Sequence, residues 1–442
     1  MRSAIMERII GKDSLYIKEK YPEYYKNIEF YYKSNFMLII LDSSFFSFST
    51  ALLSQDTILP FFIKNLTNSL AWIGLVPAIY YLGYYAPQLF GAYLIQGRST
   101  RKWIIFWIAV AERIGIMFIA LVAQTIGRLP SNSILALFLM AYSIFTITNG
   151  LIGPAYADFI SKNIVYNRGL FYGFMNWLGG IIGFGASLTA KYIIDRLDYP
   201  HNLQSLFWLC FAASFISPFI IASFHETPFP EVSPSEPFSK FIYAIPRYIN
   251  TYPQFMRFLI TRSIVGLAFM ANAFYAIYAV KHYDLDPGIV GVFTMIILFA
   301  RSGMGFIWGW IGDHKGYKYV LMGASLLLGL EAALALLVNV SWVFYLIMFC
   351  VGGVYASIWI YDPNMVFRIA PPKETSRFIG TANTLLGPIM AIAPIIGGMI
   401  VDNISYEALF MVAFGLSAVG FVATIFSVDG IHSFYEENHN LV

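Results

Sequence analysis

Thr227-Pro-Phe-Pro-Glu-Val-Ser-Pro-Ser-Glu-Pro237 places four prolines in eleven residues. Proline removes a backbone donor and fixes φ, so this stretch reads as a linker and not as a helix. Apolar runs flank it on both sides. Before it, membrane spans are expected near 36–63, 71–95, 103–124, 134–157, 169–193 and 204–224. After it, they are expected near 256–279, 288–310, 319–338, 341–361, 376–401 and 407–427. These lengths match the roughly 20 residues that cross a hydrocarbon core as a helix. The runs are continuously apolar, which excludes the alternating pattern of a membrane barrel. The expected fold is an all-α membrane protein with twelve transmembrane helices in two six-helix halves.

The segments follow from the same reading: a tail 1–34, a first half 35–224, a linker 225–255, a second half 256–428 and a tail 429–442. Within the linker, Phe238 to Tyr252 is expected on the membrane surface. The first 34 residues are charged and aromatic, unlike a cleavable leader.

Composition excludes several classes. Of 442 residues 58% are hydrophobic and 12% charged, about half the charged share of a soluble domain. A bilayer must therefore be the solvent. A net charge of +3 with no basic recognition motif argues against nucleic acid. Cys210 and Cys350 fall in apolar runs and read as small buried hydrophobes. No histidine lies in a predicted span, so no metal or other cofactor is expected. No nucleophile–base pair marks an enzyme, and Gly11-Lys12-Asp13 lacks the spacing of a phosphate loop.

Lys and Arg placement orients the chain. With the tails inside, 20 basic residues fall on the inner side and 5 on the outer, the latter being Lys64, Arg128, Lys191, Arg196 and Lys281. The positive-inside rule then places both termini in the cytoplasm of a multi-pass cell-membrane protein.

The halves echo each other. Span four ends in Tyr156-Ala-Asp158, and the following loop closes with Arg168 before Gly173-x-x-Asn176. Span ten ends in Tyr361-Asp362, and its loop closes with Arg377 before Gly380-x-x-Asn383. A duplicated six-helix unit leaves such matches.

Between spans eight and nine stands Gly309-Trp-Ile-Gly-Asp313-His-Lys-Gly316-Tyr-Lys318. It resembles the loop signature of the major facilitator superfamily, Gly-x-x-x-Asp-Arg/Lys-x-Gly-Arg/Lys-Arg/Lys. Gly309, Asp313, Gly316 and Lys318 match, while His314 and Tyr317 stand where a base is usual. The first-half counterpart, from Gly91 through Arg98 to Arg101-Lys102, is basic but lacks the acid. The resemblance implies that spans 1, 2, 4, 5, 7, 8, 10 and 11 line a central cavity. It also implies that Asp313 meets the start of span five, near Arg168 and Gly169, and holds the inner side closed. A helix N-terminus is a suitable partner for a carboxylate. The plain alternative is an ordinary turn with a capping acid.

Ionisable side chains in the bilayer are functional candidates by default. Asp42 and Asp56, fourteen residues apart on span one, lie about 40° apart around a continuous helix, with Ser49 on the same stripe. They are read either as a cavity-facing pair that binds protons or as interfacial groups in water. Arg301 and Glu331 are expected to pair between spans eight and nine, or Arg301 serves a substrate anion or coupling. Glu112 and Arg113 point about 100° apart and are expected to find separate partners. Arg262 either snorkels to the surface or joins the site. Gln88, Asn149, Asn176, Asn272, Asn383, Tyr84, Trp177 and Trp359 complete the candidate wall, packing being the alternative for each. Glycines and prolines such as Gly179, Gly180, Pro388 and Pro394 soften spans five and eleven.

The functional expectation is a secondary transporter working by alternating access, as a monomer and coupled to protons. An aromatic wall with few charges suits efflux of hydrophobic or amphipathic compounds. Sugar or organic-acid uptake, or a non-transporting receptor or scaffold of the same fold, are the alternatives.

Overall fold

The computed structural model describes residues 18–164, 168–230, 237–370 and 375–427, and among them regular structure is helical throughout. Eleven spans are long and apolar enough to cross a membrane. The remaining one, span two, is split into Leu70–Tyr85 and Gln88–Leu94. Pro87, which lacks an N–H, marks the break. Twelve crossings put Pro22, at the start of span one, and Ser427, at the end of span twelve, on one side, the terminal face. The opposite side is the far face.

Span one starts earlier than its hydropathy predicts, at Pro22, and runs to Leu52 before a short Ile58–Lys64 helix completes it. Span three is Lys102–Ala123, span four Ser131–Asn163 and span five Arg168–Arg196. Span six is His201–Phe215 with Ser217–Ala222, interrupted before Pro218. Span seven joins Pro253–Leu267 to Asn272–His282 through a 3₁₀ turn, Ala268–Ala271. Spans eight to twelve are Ile289–His314, Tyr317–Leu337, Val343–Ile369, Thr375–Asn403 and Tyr406–Ser427.

Packing repeats between the halves. Span one packs on five and six, three on four and six, and two on four. Likewise seven packs on eleven and twelve, nine on ten and twelve, and eight on ten. The two principal contacts between halves, two with eleven and five with eight, exchange under the same six-span shift. The halves are thus pseudo-symmetric around a seam.

The linker contains a helix, Phe238–Thr251, whose Phe238 ring meets Phe90 and Tyr93 at centroid distances of 5.5 and 5.2 Å. Ile242 and Tyr243 on it are exposed. Exposed Trp103 and Trp310 near the terminal face, and Trp72 and Trp342 near the far face, match the aromatic belts of a bilayer.

Candidate functional site: a seam closed on the far face

At the far face the two halves are locked together. Asp402, at the end of span eleven, accepts from the Ser69 hydroxyl at 2.7 Å and from the Leu70 and Ala71 amides at 2.7 and 2.9 Å. The first amides of a helix have no partner within it, so this carboxylate caps span two from the opposite half. Backbones approach closely just below. A Cβ on Gly74 would lie 2.1 Å from the Pro394 carbonyl oxygen, and one on Gly398 would lie 2.6 Å from the Ala71 Cα. Thr57 and Thr294 hydroxyls touch between spans one and eight.

The five–eight seam diverges towards the terminal face. Gly180 packs against Ser302. Seven residues make about two turns and return to the same helix face. On those faces, two turns further, Gly173 and Gly309 meet nothing within 4 Å. The two–eleven seam stays in contact longer, with Gly380 against Leu89 and Asn383 donating to Gln88 at 2.6 Å. Opening is therefore confined to one side of the molecule.

In this arrangement the loop signature forms the turn between spans eight and nine. Gly316 adopts φ 105°, a conformation that favours glycine, and starts span nine. A Cβ on Gly309 would meet nothing within 4 Å. Asp313 is exposed and accepts from Tyr317 Oη at 2.9 Å, and Arg368 lies over that tyrosine ring at 5.0 Å. The side chain of Arg168 and those of Gly169 and its neighbours lie outside the described residues. Lys318 and Arg377 lie within them, near the ends of spans nine and eleven.

The centre of the molecule is built by Asp56. Span one breaks after Leu52, so Asp56 does not share a helical stripe with Asp42, which corrects the sequence expectation. Past the break it reaches across the seam and accepts from Tyr355 Oη of span ten at 2.9 and 3.0 Å. Tyr81 Oη lies 3.2 Å from Tyr355 Oη. Arg301 is within electrostatic range of Asp56, Tyr80 and Tyr84, and it stands over the Trp359 ring at 5.0 Å. Tyr80 and Tyr84 stack at 5.7 Å. Asn176, Trp177, Arg301 and Trp359 are exposed, on spans five, eight and ten. Asp56 itself is buried, which corrects the interfacial reading.

Arg301 therefore does not pair with Glu331, as the sequence suggested. Arg301 is exposed, whereas Glu331 is fully buried with both oxygens unpartnered. Asn272 is also buried, and both atoms of its amide lack a partner.

Asp42 belongs to a second cluster, inside the first half. It accepts from Tyr156 Oη at 2.6 Å and from the Ser217 hydroxyl. Arg113 donates to Ser217 at 2.7 Å and pairs with Glu112, and Asn149 donates to Glu112 at 2.8 Å. The Glu112–Arg113 pair corrects the expectation from helix angles. Both side chains are long, and in an apolar interior an adjacent opposite charge outweighs the imperfect direction. Ser49 faces span six, bonding the Cys210 carbonyl at 3.3 Å, and not the cavity. Cys210 and Cys350 are buried free thiols.

Arg262 does not snorkel. It is 1% exposed and donates to both Asp362 oxygens at 2.9 and 3.1 Å, joining spans seven and ten. Tyr156–Asp42 joins spans four and one at the matching place of the first half. The two acids of the sequence echo, Asp158 and Asp362, hold different partners. Asp158 binds Arg101 at 2.5 Å and Lys162 at 2.8 Å. Glu226, beyond span six, caps span three by accepting from the Arg101 and Lys102 amides at 2.7 and 2.8 Å. Burial pushes its carboxyl above the ordinary range, against those hydrogen bonds.

Tyr355, Tyr81, Ser217 and Asp402 escaped the sequence reading, and Tyr156 entered it only within the repeat between halves. Four are neutral hydroxyls in a chain rich in such residues, and Asp402 lies just past the predicted end of span eleven at 401.

The arrangement compares with known proteins as follows. The sequence profile of the Major Facilitator Superfamily matches residues 41–360 and 258–433. Multidrug resistance protein MdtG of Dickeya zeae (strain Ech586) is 26% identical over 138 residues, which is 31% of this chain and 33% of that protein. The match thus spans about a third of the curated relative's length. The nucleoside transporter NupG superposes with a TM-score of 0.67 at 15% identity, covering 89% of this chain and 99% of that one. A D-xylose-proton symporter superposes at 0.68 and 14% identity, covering 91% and 98%. At these identities the likeness speaks for the fold alone.

Proposed function

The chain belongs to the major facilitator superfamily, and from that premise we propose that it is a proton-coupled secondary transporter of hydrophobic or amphipathic compounds. The observation that carries this reading is the contact of Asp56 with Tyr355. It is a carboxylate of one half held by the other half, at the centre of the seam, beside Arg301 and a tyrosine–tryptophan wall. A hydrogen bond to an ionised acceptor is roughly twice as strong as a neutral one. Protonating Asp56 would weaken the link between the halves, and so tie a proton to their relative movement. The aromatic wall offers stacking surface and few fixed polar contacts, which suits apolar or amphipathic solutes over sugars. Efflux is supported by the partial likeness to a multidrug resistance protein.

In this reading the terminal face is cytoplasmic, from the 20-to-5 distribution of Lys and Arg, and the chain is a monomer. The described state then faces inward. Asp313 at the end of span eight engages the start of span five, in the first half, when the inner side closes.

The test is transport of ethidium, a planar amphipathic cation, by protein reconstituted in liposomes. An imposed pH gradient should drive ethidium movement that a protonophore abolishes. Movement of equal rate with and without the gradient would overturn the coupling.

A further inference from the structure

The second half buries a carboxyl that none of these contacts uses. Glu331 on span nine is fully buried, and neither oxygen has a hydrogen-bond partner. An ionised carboxylate so placed is strongly disfavoured unless a cation or donors compensate it. The intramembrane cations of this half are engaged elsewhere: Arg262 holds Asp362, and Arg301 stands over Trp359. The titratable groups within electrostatic range of Glu331 are Tyr275 of span seven, Cys350 of span ten and, from the first half, Asp56. Span twelve, which also packs on span nine, has only Tyr406 and Glu407, at its far-face end. Span eight adds Asp313 and His314 at its terminal-face end.

We infer that Glu331 is a proton-binding site. Its carboxylate takes up one proton to become a neutral carboxylic acid in this state, and releases it when donors or water reach it. Span seven holds the means of change. Its helix is interrupted by the 3₁₀ turn Ala268–Ala271, and such mid-span turns often mark hinges. Asn272 follows directly, buried with its amide unsatisfied, one turn from Tyr275. A shift at the turn would move these two donors relative to the acid. Only the link from this proton to transport rests on the proton-coupled reading; the protonation itself does not.

The experiment is infrared spectroscopy of the purified full-length protein in lipid nanodiscs at neutral pH. A neutral carboxylic acid absorbs above the amide bands, and Glu331→Gln is nearly isosteric with it. The wild type should show a protonated-carboxyl band that Glu331→Gln loses and Glu331→Asp moves. Superimposable carboxyl regions of the wild type and Glu331→Gln would overturn the proposal. Should the glutamine variant fail to fold, an unmoved band in Glu331→Asp would do the same. Because the band is read at equilibrium, it stands or falls apart from any flux: a Glu331 band with no gradient-driven ethidium transport would refute the coupling reading alone.

Discussion

Asp56 and Tyr355 stand 299 residues apart, in opposite halves, and one tyrosine hydroxyl reaches both carboxylate oxygens at 2.9 and 3.0 Å. The hydroxyl holds one proton, so this bond is strongest when Asp56 is ionised. A contact whose strength depends on one proton, at the point where two rigid halves meet, can bias the choice between two packings that differ by a few kcal/mol.

Asp402 should act as the far-face latch. Asp402→Ala leaves the first amides of span two uncapped, at a cost of about 0.3–2 kcal/mol to the far-closed state. That is a population shift of roughly two- to thirty-fold towards far-face opening. Paired spin labels at the far-face ends of spans two and eleven report it as a longer distance component. An unchanged distribution would remove Asp402 from this role.

The close approach at Gly74 makes a second, steric prediction. With a Cβ 2.1 Å from the Pro394 carbonyl oxygen, Gly74→Ala cannot keep the two–eleven seam as it is. The variant should express and insert, yet favour the far-open state and transport more slowly. Labelling of a far-face cysteine at Ser69 should speed up in it.

The Arg262–Asp362 pair is a stability element. Asp362→Ala leaves a buried guanidinium without its counter-charge, which costs about 3–5 kcal/mol. Thermal unfolding in detergent should fall accordingly, and Arg262→Met combined with Asp362→Leu should recover most of the loss. A single variant as stable as the wild type would contradict the buried pairing.

Orientation is read by cysteine labelling. Cysteines at Arg128 and Lys281 should react with an impermeant reagent from outside, and one at Arg98 only from inside. The reverse pattern would invert every statement about inward and outward states.

The spans were legible because bilayer thickness forces long apolar runs, whereas residues 231–236 of the proline-rich stretch lie outside the described residues. The intramembrane charges were legible as well, since each costs too much to be idle. Partners were not. The helix-wheel argument joined Asp42 to Asp56 across Leu53–Thr57, where the helix breaks, and so missed that one faces its own half and the other faces the seam. The same arithmetic separated Glu112 from Arg113, although long side chains bend towards the nearest opposite charge. Arg301 and Glu331 looked paired because neighbouring spans carried opposite charges. Depth along a helix does not reveal which side of it a residue occupies. Tyr355 gave no signal: among 30 tyrosines, nothing local distinguishes the one that meets a carboxylate.

The central claim is that the Asp56 proton drives the halves. Asp56→Asn keeps an acceptor for Tyr355 but holds the site permanently neutral. In liposomes it should abolish ethidium accumulation driven by a pH gradient, while exchange of ethidium at equal pH on both sides continues. Accumulation by Asp56→Asn at the wild-type level would contradict the account.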